Sequence, residues 1–145
     1  MPPREHVLHT RPRYDEVDQM GVVHHRNYIA YFEMGRTEFM RAAGIPYAEL
    51  ERRGYRFVVT ELGATYRAGA AYDQELRVRT RVSRIRPASV RFEYAVSDFE
   101  GRVLAEGFTV LACLGARLRP ARIPQDVVRA LDPARNPAHP PSSFV

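Results

Sequence analysis

Asp18 stands in a glycine-containing turn, Asp18-Gln19-Met20-Gly21, just ahead of a segment beginning at Asn27 that reads as the start of a long helix. The first turn of a helix carries backbone N–H groups without intrahelical partners and a partial positive charge. Such an end can polarise a carbonyl oxygen and stabilise the oxyanion that forms when the carbonyl is attacked. A carboxylate a few residues away can attack that carbonyl itself or activate a water against it. The pair is a minimal apparatus for acyl transfer, without serine, cysteine or metal. Asp18 alone carries little weight, because aspartate before glycine is common in loops. Asp15 reads as an ordinary turn or strand-end residue.

Other chemistries fit the residues less well. Asp18, His24, His25 and Glu33 invite a metal reading, yet two adjacent histidines without an i, i+4 partner match no common ligand spacing. No metal and no cofactor is expected. Ser83, Ser89, Ser97 and the serines of the C-terminal end lie in no nucleophile-elbow sequence. Cys113 sits within Val110-Leu111-Ala112-Cys113-Leu114 and reads as a small buried hydrophobe. As the sole cysteine it cannot form an intramolecular disulfide.

The elements that must hold Asp18 follow from periodicity. Tyr28, Tyr31, Phe32, Gly35, Phe39, Ala42 and Ala43 share one face of a predicted helix over 27–43, with Asn27 as its N-cap and Gly44 as its stop. A short second helix is expected between Pro46 and Gly54. Strands are predicted over 6–14, 56–66, 75–85, from Ser89 to Asp98, and over 103–114. In 75–85, Leu76, Val78, Thr80 and Val82 alternate with Arg77, Arg79 and Arg81, the pattern of a half-buried antiparallel strand, and the register breaks at Ser83-Arg84-Ile85 as at a bulge. The strand from Ser89 to Asp98, with neither proline nor lysine to protect it, is expected at an exposed sheet edge that a second copy of the chain would cover. A last helical turn is expected over 123–131. These elements suit an α+β domain over 1–131, a curved antiparallel sheet wrapped around one apolar helix. A proline-rich, poorly ordered tail should follow over 132–145.

At 145 residues the chain is one domain with room for a sizeable core. No apolar run is long enough to span a bilayer and nothing resembles a signal peptide, so a soluble cytoplasmic protein is expected. The net charge of +5 rests on arginine alone, since the sequence has no lysine. Guanidinium groups suit anionic, phosphate-bearing ligands. The arginines are dispersed among glutamates with no basic run interleaved with aromatics, which argues against nucleic acid.

The order Asp18-x-x-Gly21-Val22-Val23-x-His25-x-x-Tyr28, followed by Tyr31-Phe32-Glu33 and Arg36, resembles the hotdog-fold acyl-CoA thioesterases, and among them the 4-hydroxybenzoyl-CoA thioesterase and YbgC-like group. Ala71-Tyr72-Asp73, Ser89, Arg119-Pro120 and Ile123-Pro124 extend the likeness from about His6 to about Val128. His24 departs from it, standing where that group more often has tyrosine. The resemblance implies a hotdog fold and hydrolysis of an acyl-CoA to free acid and coenzyme A. It implies Asp18 as base or nucleophile, and the backbone N–H of His25 as the oxyanion donor. Gly21 would allow a positive φ or a close backbone approach, with Val22 and Tyr28 beside the substrate. Arg86 and Ser89 would help hold the phosphate and pantetheine end. It further implies a homo-oligomer, a dimer at least and commonly a tetramer, with sites at the dimer interface. Two alternatives stand beside this reading: a thioesterase acting on acyl carrier protein, and a non-catalytic acyl-CoA-binding module of the same fold.

Overall fold

Tyr28, Tyr31, Phe32, Gly35, Phe39 and Met40 recur at helical spacing along α1 (Asn27–Ala42), and all are buried. In this computed structural model, which describes residues 5–132, the stripe lies against one face of a five-stranded antiparallel sheet. The chain runs β1 (Glu5–Thr10), a 3-10 turn (Tyr14–Glu16), α1, α2 (Tyr47–Arg52), β2 (Arg56–Tyr66), β3 (Leu76–Arg86), β4 (Ser89–Asp98), β5 (Val103–Leu114), a short turn at Ala116–Leu118, and α3 (Gln125–Leu131). Strand order is β1-β3-β4-β5-β2. This is the α+β arrangement expected, one sheet around one long helix.

Alternation does the work in β3. Leu76, Val78, Thr80 and Val82 face the core, while the intervening arginines point away. The register slips between Val82 and Arg84, the bulge expected there. Phe32 stacks on Tyr94 with ring centroids 4.7 Å apart, and Phe39 meets Phe92 edge-on at 5.8 Å. Burying each such ring contributes about 1.5–3 kcal/mol. Gly35 brings the helix closest to the sheet: a Cβ there would overlap the Thr80 hydroxyl and lie 2.8 Å from a Val78 methyl. A polar link adds to the apolar ones, since Arg36 donates to the Tyr94 hydroxyl at 3.2 Å, and that hydroxyl is hydrogen-bonded to Thr109 at 2.6 Å. Cys113 is fully buried, and burial pushes its thiol pKa up, as for an inert core residue.

Three expectations change. β1 ends at Thr10 rather than Tyr14, because Pro12 follows closely and the chain then tightens into the 3-10 turn. Asn27 is the first helical residue, not the cap; Arg26 occupies the cap position without a side-chain bond, and the Asn27 amide turns elsewhere. Most consequentially, β4 is not an edge. It pairs with β3 on one side and β5 on the other, leaving β1 and β2 as the edges. Among the described residues no helix is long and apolar enough to cross a membrane. Of the tail expected over 132–145, all but Asp132 lies outside the described residues.

Candidate active site

Residues Glu16 to His24 form a miniature hairpin against the start of α1. Val17 and Val23 bridge antiparallel, the Asp18 N–H donates to the Val22 carbonyl at 2.9 Å, and the His24 N–H donates to the Glu16 carbonyl at 2.9 Å. At its tip the Gly21 N–H closes a turn onto the Asp18 carbonyl at 3.0 Å, with Gly21 at φ 82°, a left-handed conformation that glycine adopts without strain. One edge of the hairpin is tied down where the Val23 N–H meets the Ala70 carbonyl at 2.8 Å.

Asp18 is half-buried. Its carboxylate Oδ1 accepts the Met20 N–H at 2.8 Å, an Asx turn that explains why aspartate suits this corner on local grounds. Its second oxygen has no hydrogen-bond partner among the described residues and is available to a proton or an acyl carbon.

Two residues before α1, the backbone N–H of His25 is without a partner among the described residues, whereas its neighbours are engaged: His24 with Glu16, Arg26 with the His24 ring at 3.2 Å, and Asn27 with the His24 carbonyl at 3.0 Å. An N–H without a partner among the described residues, beside the positive end of a sixteen-residue helix, can donate to an anionic oxygen. The His25 carbonyl accepts the Tyr66 hydroxyl at 3.2 Å, which fastens the helix start to the end of β2. The His25 ring is exposed and stacks on His24, with centroids 4.1 Å apart.

Gly21 and Val22 belong to the same hairpin as Asp18. Tyr28, in the first turn of α1, is only 2 % exposed, its ring edge-on to both Tyr31 and Tyr66. Burial raises the Tyr28 phenol pKa, so the group stays protonated. Arg86 and Ser89 are elsewhere. They close the β3–β4 turn as a register pair, whereas β3 begins beside the Asp18 end, where the Asp73 N–H reaches the Pro12 carbonyl. The eleven residues of β3 therefore separate them from Asp18 by roughly 30 Å within one chain.

Two residues of this site escaped sequence reasoning. Tyr66 read only as a strand end. Glu16 draws no attention by residue type, although its spacing from Arg13 is that of a capping box, in which the later side chain reaches back to the earlier N–H. That bond is present, Arg13 N–H to Glu16 Oε1 at 2.7 Å.

The sequence matches the profile of the thioesterase-like superfamily over residues 12–131, the span that carries β2 to β5, α1 and the hairpin. The chain belongs to that family. It is 31 % identical over 122 residues to the acyl-CoA thioesterase YbgC of Haemophilus influenzae, covering 83 % of this chain and 89 % of that protein. Among solved structures it is similar to a hypothetical protein, TT1821, from Thermus thermophilus, at 46 % identity and a TM-score of 0.82 over 86 % of this chain and 95 % of that one. It is also similar to a DHNA-CoA thioesterase from Staphylococcus aureus, at 27 % identity and a TM-score of 0.78, covering 92 % and 87 % of the two chains. The curved sheet around α1 is thus the hotdog fold of the thioesterases.

Proposed function

We propose that this protein hydrolyses acyl-CoA thioesters to a free carboxylic acid and coenzyme A. The observation that carries the reading is the placement, in one short hairpin and the residue that follows it, of a carboxylate oxygen and a backbone N–H at a helix start, neither with a hydrogen-bond partner among the described residues. The thioester carbonyl oxygen docks on the His25 N–H, where the helix end favours the negative charge that develops. Asp18 drives the attack, either by taking the proton of a water or by attacking the carbon itself. The C–S bond breaks and coenzyme A leaves as the thiol after gaining a proton. On the water route the acyl group leaves at once as the acid; on the nucleophilic route a water then hydrolyses the Asp18–acyl anhydride, releasing the acid and restoring the carboxylate. Names of relatives in the same family support the substrate class. A panel of acyl-CoA substrates spanning aliphatic and aromatic groups, mixed with a chromogenic thiol reagent, tests this. Many equivalents of thiol per protein are expected from at least one of them. Turnover confined to acyl carrier protein thioesters would move the substrate class, and binding without turnover would make the chain a binding module.

The site is completed by a second copy of the chain. β2 is an edge strand that exposes Val58, Val59, Leu62 and Tyr66, and neither proline nor lysine interrupts it. Unpaired edges of this kind are covered in stable proteins. Two-fold pairing of β2 with its copy would set Tyr66, next to His25, opposite the Arg56 end of the partner, the end that also carries Arg86 and Ser89. This supports an arrangement in which Asp18 of one chain works with Arg86 of the other on the phosphate end of coenzyme A. Arg86→Ala should then raise KM more than it lowers kcat, since the contact exists in ground and transition states alike. Co-expressed Asp18→Asn and Arg86→Ala chains should form hybrids with one intact site, recovering at low substrate about a quarter of wild-type activity under random pairing. Activity no greater than the mean of the two parents would rule out the shared site.

A further inference from the structure

Glu16 is engaged by more donors than any neighbour in the hairpin. Its backbone carbonyl accepts the His24 N–H and the Asn27 side-chain amide, each at 2.9 Å. Its carboxylate oxygen Oε1 accepts the Arg13 N–H at 2.7 Å and the Tyr31 hydroxyl at 2.9 Å. Asn27 and Tyr31 lie one turn apart on the same face of α1, so the helix grips this one residue twice. Asp18 follows Glu16 by two residues, and His25 follows the His24 amide that Glu16 holds. The carboxylate and the oxyanion donor thus extend from opposite sides of a single clamp.

We propose that Glu16 is a positioning residue: held by Tyr31 and Asn27, it fixes where the Asp18 carboxylate sits relative to the His25 N–H. The inference rests on the thioesterase reading of that hairpin and adds to it the device that sets its geometry. Among the described residues no other side-chain hydrogen bond ties the Asp18 strand of the hairpin to α1. The Tyr31 side chain is 1 % exposed, and burial followed by the bond to Glu16 raises its pKa far above neutrality, so it remains a donor throughout any assay range. A misplacement of about 1 Å between reacting groups costs up to about 100-fold in rate, while ground-state binding of the distant coenzyme A is spared. Loosening the clamp therefore lowers kcat and leaves KM.

The test uses the full chain and a substrate that the wild type turns over. Tyr31→Phe keeps the buried ring and removes one donor; it should lower kcat roughly 10-fold with little change in KM. Glu16→Ala should lower kcat at least as much. Glu16→Gln, whose amide oxygen can accept the same two donors, should recover most of the loss, which separates geometry from charge. In the Glu16→Ala background, Tyr31→Phe should add nothing further, because its partner is already gone. Melting temperatures identify any variant that is merely unfolded, and Glu16→Gln still reports if Glu16→Ala fails to fold. Wild-type kcat in Tyr31→Phe, independent losses in the double variant, or a Glu16→Gln as impaired as Glu16→Ala would each overturn the proposal while wild-type turnover leaves the thioesterase reading standing. Absence of wild-type turnover overturns both.

Discussion

Asp18→Asn is expected to lower kcat by at least about 100-fold on any substrate the wild type turns over, the usual contribution of a lost base or nucleophile. The substitution keeps the size of the side chain, and the asparagine carbonyl can still accept the Met20 N–H that closes the turn. What disappears is the charge and basicity of the second oxygen, the one without a partner. Fold and melting temperature should stay close to the wild type, since the residue lies in a turn and the hydrogen bond its side chain makes there is kept. Steady-state kinetics beside a thermal melt separate the two effects. Near-wild-type turnover would eliminate Asp18 as base or nucleophile and reduce it to a turn residue.

Gly35→Ala should act in the opposite way, on stability first. In an isolated helix the change would gain up to about 1 kcal/mol of propensity. Here the added methyl would meet the Thr80 hydroxyl and a Val78 methyl across the helix–sheet contact. Both belong to the middle of β3 and cannot withdraw without moving the sheet. Overpacking of this kind costs about 1–3 kcal/mol, so the clash outweighs the propensity and the urea midpoint should fall. Adding Thr80→Ala should restore part of the loss, because it vacates the space and its hydroxyl has no hydrogen-bond partner among the described residues. An unchanged or raised midpoint in Gly35→Ala would mean that α1 does not sit this close to β3.

Much of this architecture is legible in the sequence because it is periodic. The buried stripe of α1 and the alternation in β3 each state which face goes inward, and Gly44 ends the helix where its residue type suggests. Strand order is another matter. β2 precedes β3 in the chain yet pairs with β5 at the far edge, and β1 pairs with β3 across the whole length of α1 and β2. Such pairings depend on contacts distant in sequence, and Ser89 to Asp98 carries no local mark of being central. Its burial on both faces over Tyr94 to Asp98 is visible only once both neighbours are in place.

The candidate site divides in the same way. Asp18 and Gly21 stand out because a turn needs those residue types at that spacing. Glu16 does not, since its contacts come from the His24 backbone N–H, the Asn27 side-chain amide and a tyrosine fifteen residues away. Arg86 and Ser89 stand apart from Asp18 within one chain, and pairing across β2 is what would reunite them.

Catalytic release of thiol is the most direct measurement of all. Purified protein mixed with an excess of acyl-CoA and a chromogenic thiol reagent should produce coenzyme A continuously, with one free carboxylic acid formed per thiol, and Asp18→Asn at the same concentration should release almost none. Thiol release no faster than the uncatalysed blank across aliphatic and aromatic acyl-CoA substrates, or equal rates from wild type and Asp18→Asn, would contradict thioester hydrolysis by this hairpin.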